Sequence, residues 1–232
     1  MLSRRCSIRL SLQAVTALVA LGPVLSGRRA QAAKGATEPI DWDTFLVELQ
    51  ALTRAQHAPD WDQAAYVKSV VALMHELDVM DAGLQEVLDR YRKLRTGFPQ
   101  IRTAVDGGDY SVSVLQFAPG DSIALHNHPR MTGVILCLTG AVEVESYTLL
   151  EGLSEAGEQR MKQDIKTVLR PGDHATLTAT RGNIHGLEAR EWCELLDVFT
   201  PPYTADRAEE YSWFARSSKP VEGTDVYAVW KT

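Results

Sequence analysis

The spacing of apolar and polar positions changes period once along the chain. Between residues 41 and 96 it is helical. Val67, Val70, Val71 and Met74 recur at i, i+3, i+4 and i+7, which puts one apolar stripe on a helix. Asp60, with Gln63 three residues on, is placed to cap its start. Phe45, Leu46, Leu49 and Leu52 mark a helix before it. Leu84, Val87, Leu88 and Tyr91 mark one after it, stopping near Gly97-Phe98-Pro99. The connections are short, and amphipathic helices need a partner surface. The three are therefore expected to form a layer covering something else.

From Ile101 the period becomes two. Tyr110, Val112 and Val114 alternate with serines, Leu115 and Phe117 turn apolar groups to the other face, and Pro119-Gly120 ends the run. Further short strands are expected at Ile135 to Leu138, around Val142, Val144 and Tyr147, at Lys166 to Leu169, at Ala175 to Leu177 and at Cys193 to Phe199. Residues 151–162, polar and glycine-containing, are expected to be a loop. Many short strands between Gly, Pro and Asp turns indicate a β-sandwich or barrel.

The N-terminus differs in kind. Residues 1–32 hold Arg4, Arg5, Arg9, Arg28 and Arg29 and no acid, with a mostly apolar run from Leu10 to Leu25 and then Ala30-Gln31-Ala32. That order reads as a secretory signal peptide, and Arg4-Arg5 resembles a twin-arginine signal, so a periplasmic or secreted product is expected. The run falls short of the ~20 residues of a spanning helix, and Gly22-Pro23 interrupts it, so no stable membrane insertion is expected after signal removal. The whole chain carries a net charge of −6, and loss of the five arginines leaves −11. A chain this acidic, without a basic recognition helix, is not expected to bind nucleic acid, and a monomer is expected. Cys137 and Cys193, outside the signal, sit in apolar runs and read as small buried hydrophobes rather than a disulfide framework.

One stretch carries candidate chemistry. In Gly120-Asp-Ser-Ile-Ala-Leu-His126-Asn-His128 the histidines are two apart, so on an extended strand they point the same way and can share a metal ion. Gly182-Asn183-Ile184-His185 offers a third ligand after a glycine turn. His57, His75 and His174 have no such company and read as ordinary surface or core residues. Three neutral imidazoles leave a divalent ion its full charge, available to an anionic ligand. Imidazole suits Fe, Zn, Cu and Ni alike, so the ligands do not choose the metal.

These motifs resemble a family. Gly120-x5-His126-x-His128, with Gly140 twelve residues on, is close to the first cupin motif, and Gly182-x-x-His185 resembles the core of the second. The glutamate ligand usual in cupins is missing: Pro129-Arg130-Met131-Thr132 is followed by Gly133. That departure is typical of thiol dioxygenases, cupins with a three-histidine iron site. His126 to Thr132 and Leu196-Asp-Val-Phe-Thr-Pro-Pro-Tyr203 look like the cysteamine dioxygenase and plant cysteine oxidase group, over roughly residues 100–214.

The resemblance implies a mainly β fold: a cupin double-stranded β-helix, or jelly-roll barrel, over residues 99–232, with an N-terminal helical layer over residues 33–98. It implies Fe(II) on His126, His128 and His185, and an enzyme that adds both atoms of O₂ to a small aminothiol or N-terminal cysteine to give a sulfinic acid. Asp197 and Tyr203 match the family's acid and active-site tyrosine. Asp197 would orient a ligand histidine or bind the substrate amine. Tyr203 would donate a hydrogen bond to bound oxygen or thiolate. Gly133 stands where many cysteine dioxygenases carry a crosslinking cysteine, so no Cys–Tyr cofactor is expected there. Gly186 follows the third histidine where the plant group often has cysteine, and an export signal is unexpected in a family whose familiar members are intracellular. Two rival readings stay open: another metal-dependent cupin oxygenase or isomerase acting on a non-thiol, and a non-enzymatic metal-holding cupin that binds or senses a ligand.

Overall fold

The computed structural model describes residues 38–94, 97, 99–150, 159–204 and 210–232. The expected signal peptide lies outside these residues, as does the first part of the expected 151–162 loop.

Three helices come first: α1 (Trp42–Thr53), α2 (Gln63–Glu76) and α3 (Ala82–Lys93). An aspartate caps each. Asp41 accepts from the Thr44 amide at 2.7 Å, Asp62 from Ala65 at 3.0 Å, and Asp81 from Gly83 and Leu84 at 2.9 and 3.2 Å. The cap of α2 is therefore Asp62 rather than Asp60. Gln63 becomes its first residue and instead accepts from the Ala179 amide at 2.9 Å.

Eleven strands follow among the described residues: β1 (Gln100–Asp106), β2 (Ser111–Phe117), β3 (Ser122–Asn127), β4 (Thr132–Thr139), β5 (Val142–Leu149), β6 (Gln159–Leu169), β7 (His174–Leu177), β8 (Ile184–Ala189), β9 (Cys193–Thr200), β10 (Phe214–Arg216) and β11 (Val226–Lys231). They form two antiparallel sheets, ordered β1-β2-β9-β4-β7 and β10-β11-β6-β5-β8-β3. This is a double-stranded β-helix with helices on one sheet.

The alternation of the first sheet explains why β2 and β9 are buried along their whole length. One row, with Val112, Val114, Val134, Leu136, Leu196 and Val198, packs on α1, α2 and α3. The other, with Leu115, Phe117, Ile135, Cys137 and Leu195, meets Val142, Val144, Leu187 and Ala189 of the second sheet. A sheet covered on both faces reads as a continuous apolar run rather than alternation. The predicted helical layer thus finds its partner surface. Gly140 sits at a turn with φ +73°, and a Cβ there would lie 1.9 Å from the Trp192 carbonyl oxygen, so only glycine fits.

One expectation changes, and one pair of strands goes beyond those expected. The polar loop gives way by Gln159, where β6 already pairs with β11 and Met161 is fully buried. The C-terminal hairpin β10–β11 extends the second sheet, and its Phe214 and Val229 cluster with Leu125, Tyr147 and Ile184. Cys137 and Cys193 are free and buried, as expected. Among the described residues no helix is long and apolar enough to cross a membrane.

Candidate metal centre

β3 and β8 pair antiparallel at the edge of the second sheet, and their register puts His126 opposite His185. His128 lies one residue past the end of β3. It is held there by Asn183, which immediately precedes β8: its side-chain oxygen accepts from the His128 amide at 3.0 Å, and its Nδ2 donates to the His128 carbonyl at 2.7 Å. The second histidine motif thereby clamps the last residue of the first. The three imidazoles meet with ring centroids 4.7–4.8 Å apart, and their ligand atoms all lie within 4.8 Å of one another. They are the one such cluster of potential ligands among the described residues.

The nitrogens are already sorted. His126 Nδ1 lies 2.8 Å from the Ala124 carbonyl, which leaves Nε2 for the centre. Nε2 of His128 and Nε2 of His185 stand 2.9 Å apart, about the separation of two neighbouring nitrogens each ~2.1 Å from one ion. His128 Nδ1 lies 2.5 Å from the Tyr203 hydroxyl. If Nδ1 carries the proton and donates it to Tyr203, the Nε2 lone pair is free for a metal. Burial lowers the pKa of all three histidines, and for His128 and His185 neighbouring imidazoles lower it further. Neutral imidazoles with converging lone pairs are the donor set a divalent ion needs, so these residues fit one.

The missing carboxylate has a packing reason. A Cβ on Gly133 would stand 2.7 Å from the Phe199 ring and 3.1 Å from Leu177 Cγ. The Phe199 ring stacks on His128, centroids 4.5 Å apart at 22°. The space a fourth protein ligand would use is filled by an aromatic ring.

Tyr203 and Asp197 both line the cavity of about 120 Å³ in front of the histidines, whose other walls include Ile101, Leu115, Ile135 and Leu187. Tyr203 exposes its outer ring face while its hydroxyl points inward to His128, and burial, with Asp197 and Tyr211 nearby, raises the phenol's pKa. It stays a neutral phenol. Its hydrogen bond goes to a ligand histidine, whereas the family resemblance implied one to bound oxygen or thiolate. Asp197 lies mid-strand on β9, paired with Ser113 and Ile135, and does not cap the Pro201-Pro202 turn. It is 5% exposed, its Oδ1 has no hydrogen-bond partner, and burial holds its pKa well above the usual carboxylate range.

Three supporting residues escaped sequence reasoning. Asn183 lay inside the Gly182–His185 motif, but a single sequence does not say which backbone an amide will hold. Phe199 read as ordinary strand. Trp213 bridges to His126, with the rings 5.1 Å apart, and sits in a segment without periodicity. His75 and His174 contact each other at 3.0 Å, and His57 contacts Asp109.

A family model described as PCO_ADO matches residues 73–228. Plant cysteine oxidase 2 of Arabidopsis thaliana is 26% identical over 145 residues, 60% of this chain and 52% of that protein. A probable 2-aminoethanethiol dioxygenase of Dictyostelium discoideum is 21% identical over 165 residues, 67% of this chain and 74% of that protein. The match thus spans about half the length of the plant relative. A solved double-stranded β-helix protein of Klebsiella pneumoniae is 24% identical, with 46% of this chain and 80% of that one covered at a TM-score of 0.35.

Proposed function

Since the chain belongs to the PCO_ADO family, we propose that it is a non-haem Fe(II) thiol dioxygenase that converts a small aminothiol or an N-terminal cysteine to its sulfinic acid. The observation that carries this reading is the site itself: three converging histidines, no protein carboxylate among them, and a small cavity on their open side. The relatives' names, a cysteine oxidase and a 2-aminoethanethiol dioxygenase, support a thiol as substrate.

His126, His128 and His185 would hold the ion, which when bound supplies a site where a thiolate and O₂ meet. The protein does the rest by placement. Asn183 fixes the backbone of His128, and Tyr203 orients its ring through Nδ1. Phe199 closes the side where a fourth ligand would enter. Leu115, Ile135 and Leu187 make much of the inner wall apolar, which strengthens electrostatic interactions there. Asp197 and Ser113 face each other on β9 and β2 and are polar groups of that wall. A substrate ammonium beside Asp197 would favour its ionised form and orient the thiol end toward the histidines.

The test uses purified protein loaded anaerobically with Fe(II). Cysteamine, 3-mercaptopropionate, cysteine and a Cys-initiated peptide are added in turn and O₂ uptake is followed. Uptake with an aminothiol is expected. No uptake with any thiol sinks the proposal. His185→Ala should abolish both iron retention and uptake.

A further inference from the structure

Asp197 lines a second space besides the substrate cavity. Behind it lies a void of about 10 Å³, walled by Gly133, Val144, Ser146, Ala175 and Leu177 among others. That is room for about one water molecule. Ser146, Ala175, Thr176 and Leu177 also wall a third space, a cleft of about 360 Å³ beside α2 that is edged by the exposed Lys68 and Arg181. Asp197 and His185 line both the first space and the second, and Ser146 and Thr176 line both the second and the third. The three spaces therefore adjoin in order between the histidines and the outer cleft.

Polar groups mark this line where packing alone would favour apolar ones. Asp197 Oδ1 is buried without a partner. Ser146 stands on the inward row of β5, after Val142 and Val144, and is only 4% exposed. A buried water needs two or more polar partners, and an orphaned carboxyl oxygen and a serine hydroxyl on the wall of a water-sized void supply them.

We propose that this void is wet, and that Asp197, Ser146 and Thr176 form a back passage for water and protons between the site and the outer cleft. Its use rests on the thiol dioxygenase reading. In RSH + O₂ → RSO₂⁻ + H⁺ the S–H and O–O bonds break and two S–O bonds form. Sulfur is oxidised, oxygen is reduced, and one proton is released per turnover. A substrate seated in the front cavity covers the direct route to solvent, and the back passage lets that proton leave.

A high-resolution crystal structure of the metal-loaded protein tests the passage without turnover. An ordered water within hydrogen-bond reach of Asp197 Oδ1 and Ser146 is expected, and a dry void overturns the proposal. Kinetics test its use. Ser146→Ala and Ala175→Leu, with metal content unchanged, should each lower kcat by about 10-fold or more and enlarge its solvent deuterium isotope effect, with KM for O₂ unchanged. Unchanged kcat and isotope effect would overturn the proposal, as would a raised KM for O₂ at unchanged kcat, which would make the passage a gas route. A wet void in protein that consumes no O₂ with any thiol would refute the dioxygenase reading while upholding the passage. A dry void in protein that turns over would refute the passage alone.

Discussion

Three residues around the histidines decide how the site is built. Asn183 holds His128 by its backbone, so Asn183→Ala should free the ligand beyond the end of β3 and weaken metal affinity by about 10–100-fold, the usual effect of removing a ligand's support. Competition with a metallochromic chelator reads this directly. Tyr203→Phe removes the partner of His128 Nδ1 and should lower turnover while most of the metal stays bound. Gly133→Ala forces a methyl against Phe199 and should cost about 1–3 kcal/mol of stability in chemical denaturation. The buried histidines also set a pH dependence. Their folded pKa lies below the ~6.5 of the unfolded chain, so unfolding takes up protons as pH falls through that value. Metal-free protein should therefore lose stability from about pH 6.5 downward. His185→Asn should flatten that slope, and an unchanged slope would show that His185 is not held neutral in the fold.

At the scale of elements, β9 is the member that joins cover to site. Its outward row packs on the helices, its inward row carries Asp197 and Phe199, and the chain beyond it carries Tyr203. The helices grip both ends of it. The Tyr66 hydroxyl of α2 lies 2.7 Å from the Thr200 hydroxyl, and Arg92 of α3 makes a two-pronged pair with Glu194, at 2.9 and 2.5 Å. Glu194 is 1% exposed and also accepts from Gln116 at 2.8 Å. Arg92→Ala leaves that carboxylate buried without its counter-ion and should destabilise the fold by about 3–5 kcal/mol, read as a lowered denaturant midpoint. Much of this scale was legible in the sequence. The apolar stripes of α2 and α3 and the inward–outward split of β2 read correctly because each has a single period over a full element. The start of β6 did not, because Arg160 and Lys162 face outward and look like loop. The C-terminal hairpin did not, because β10 has only three residues. The clustering of the three histidines was legible because two of them stand two apart at a strand end and the third follows a glycine turn, both local patterns. The Arg92–Glu194 pair, 102 residues apart, was not.

For the whole molecule, the three histidines gather where β3 and β8 pair at the edge of one sheet, and stabilisation of the fold by an ion bound there should be measurable. Free metal at 100 times Kd would add about 2.7 kcal/mol, worth about 2–4 °C in Tm per kcal/mol for a chain of this size. Chelation should reverse the rise, and His185→Ala should abolish it. The central claim is narrower: that the three histidines direct both atoms of O₂ onto a thiol sulfur. Its most direct test is turnover of the Fe(II)-loaded protein with cysteamine under ¹⁸O₂, followed by mass spectrometry of the product. A sulfinate carrying two ¹⁸O atoms is expected, formed by the wild type and not by His185→Ala. A disulfide product, or a sulfinate with oxygen drawn from water, would contradict the claim.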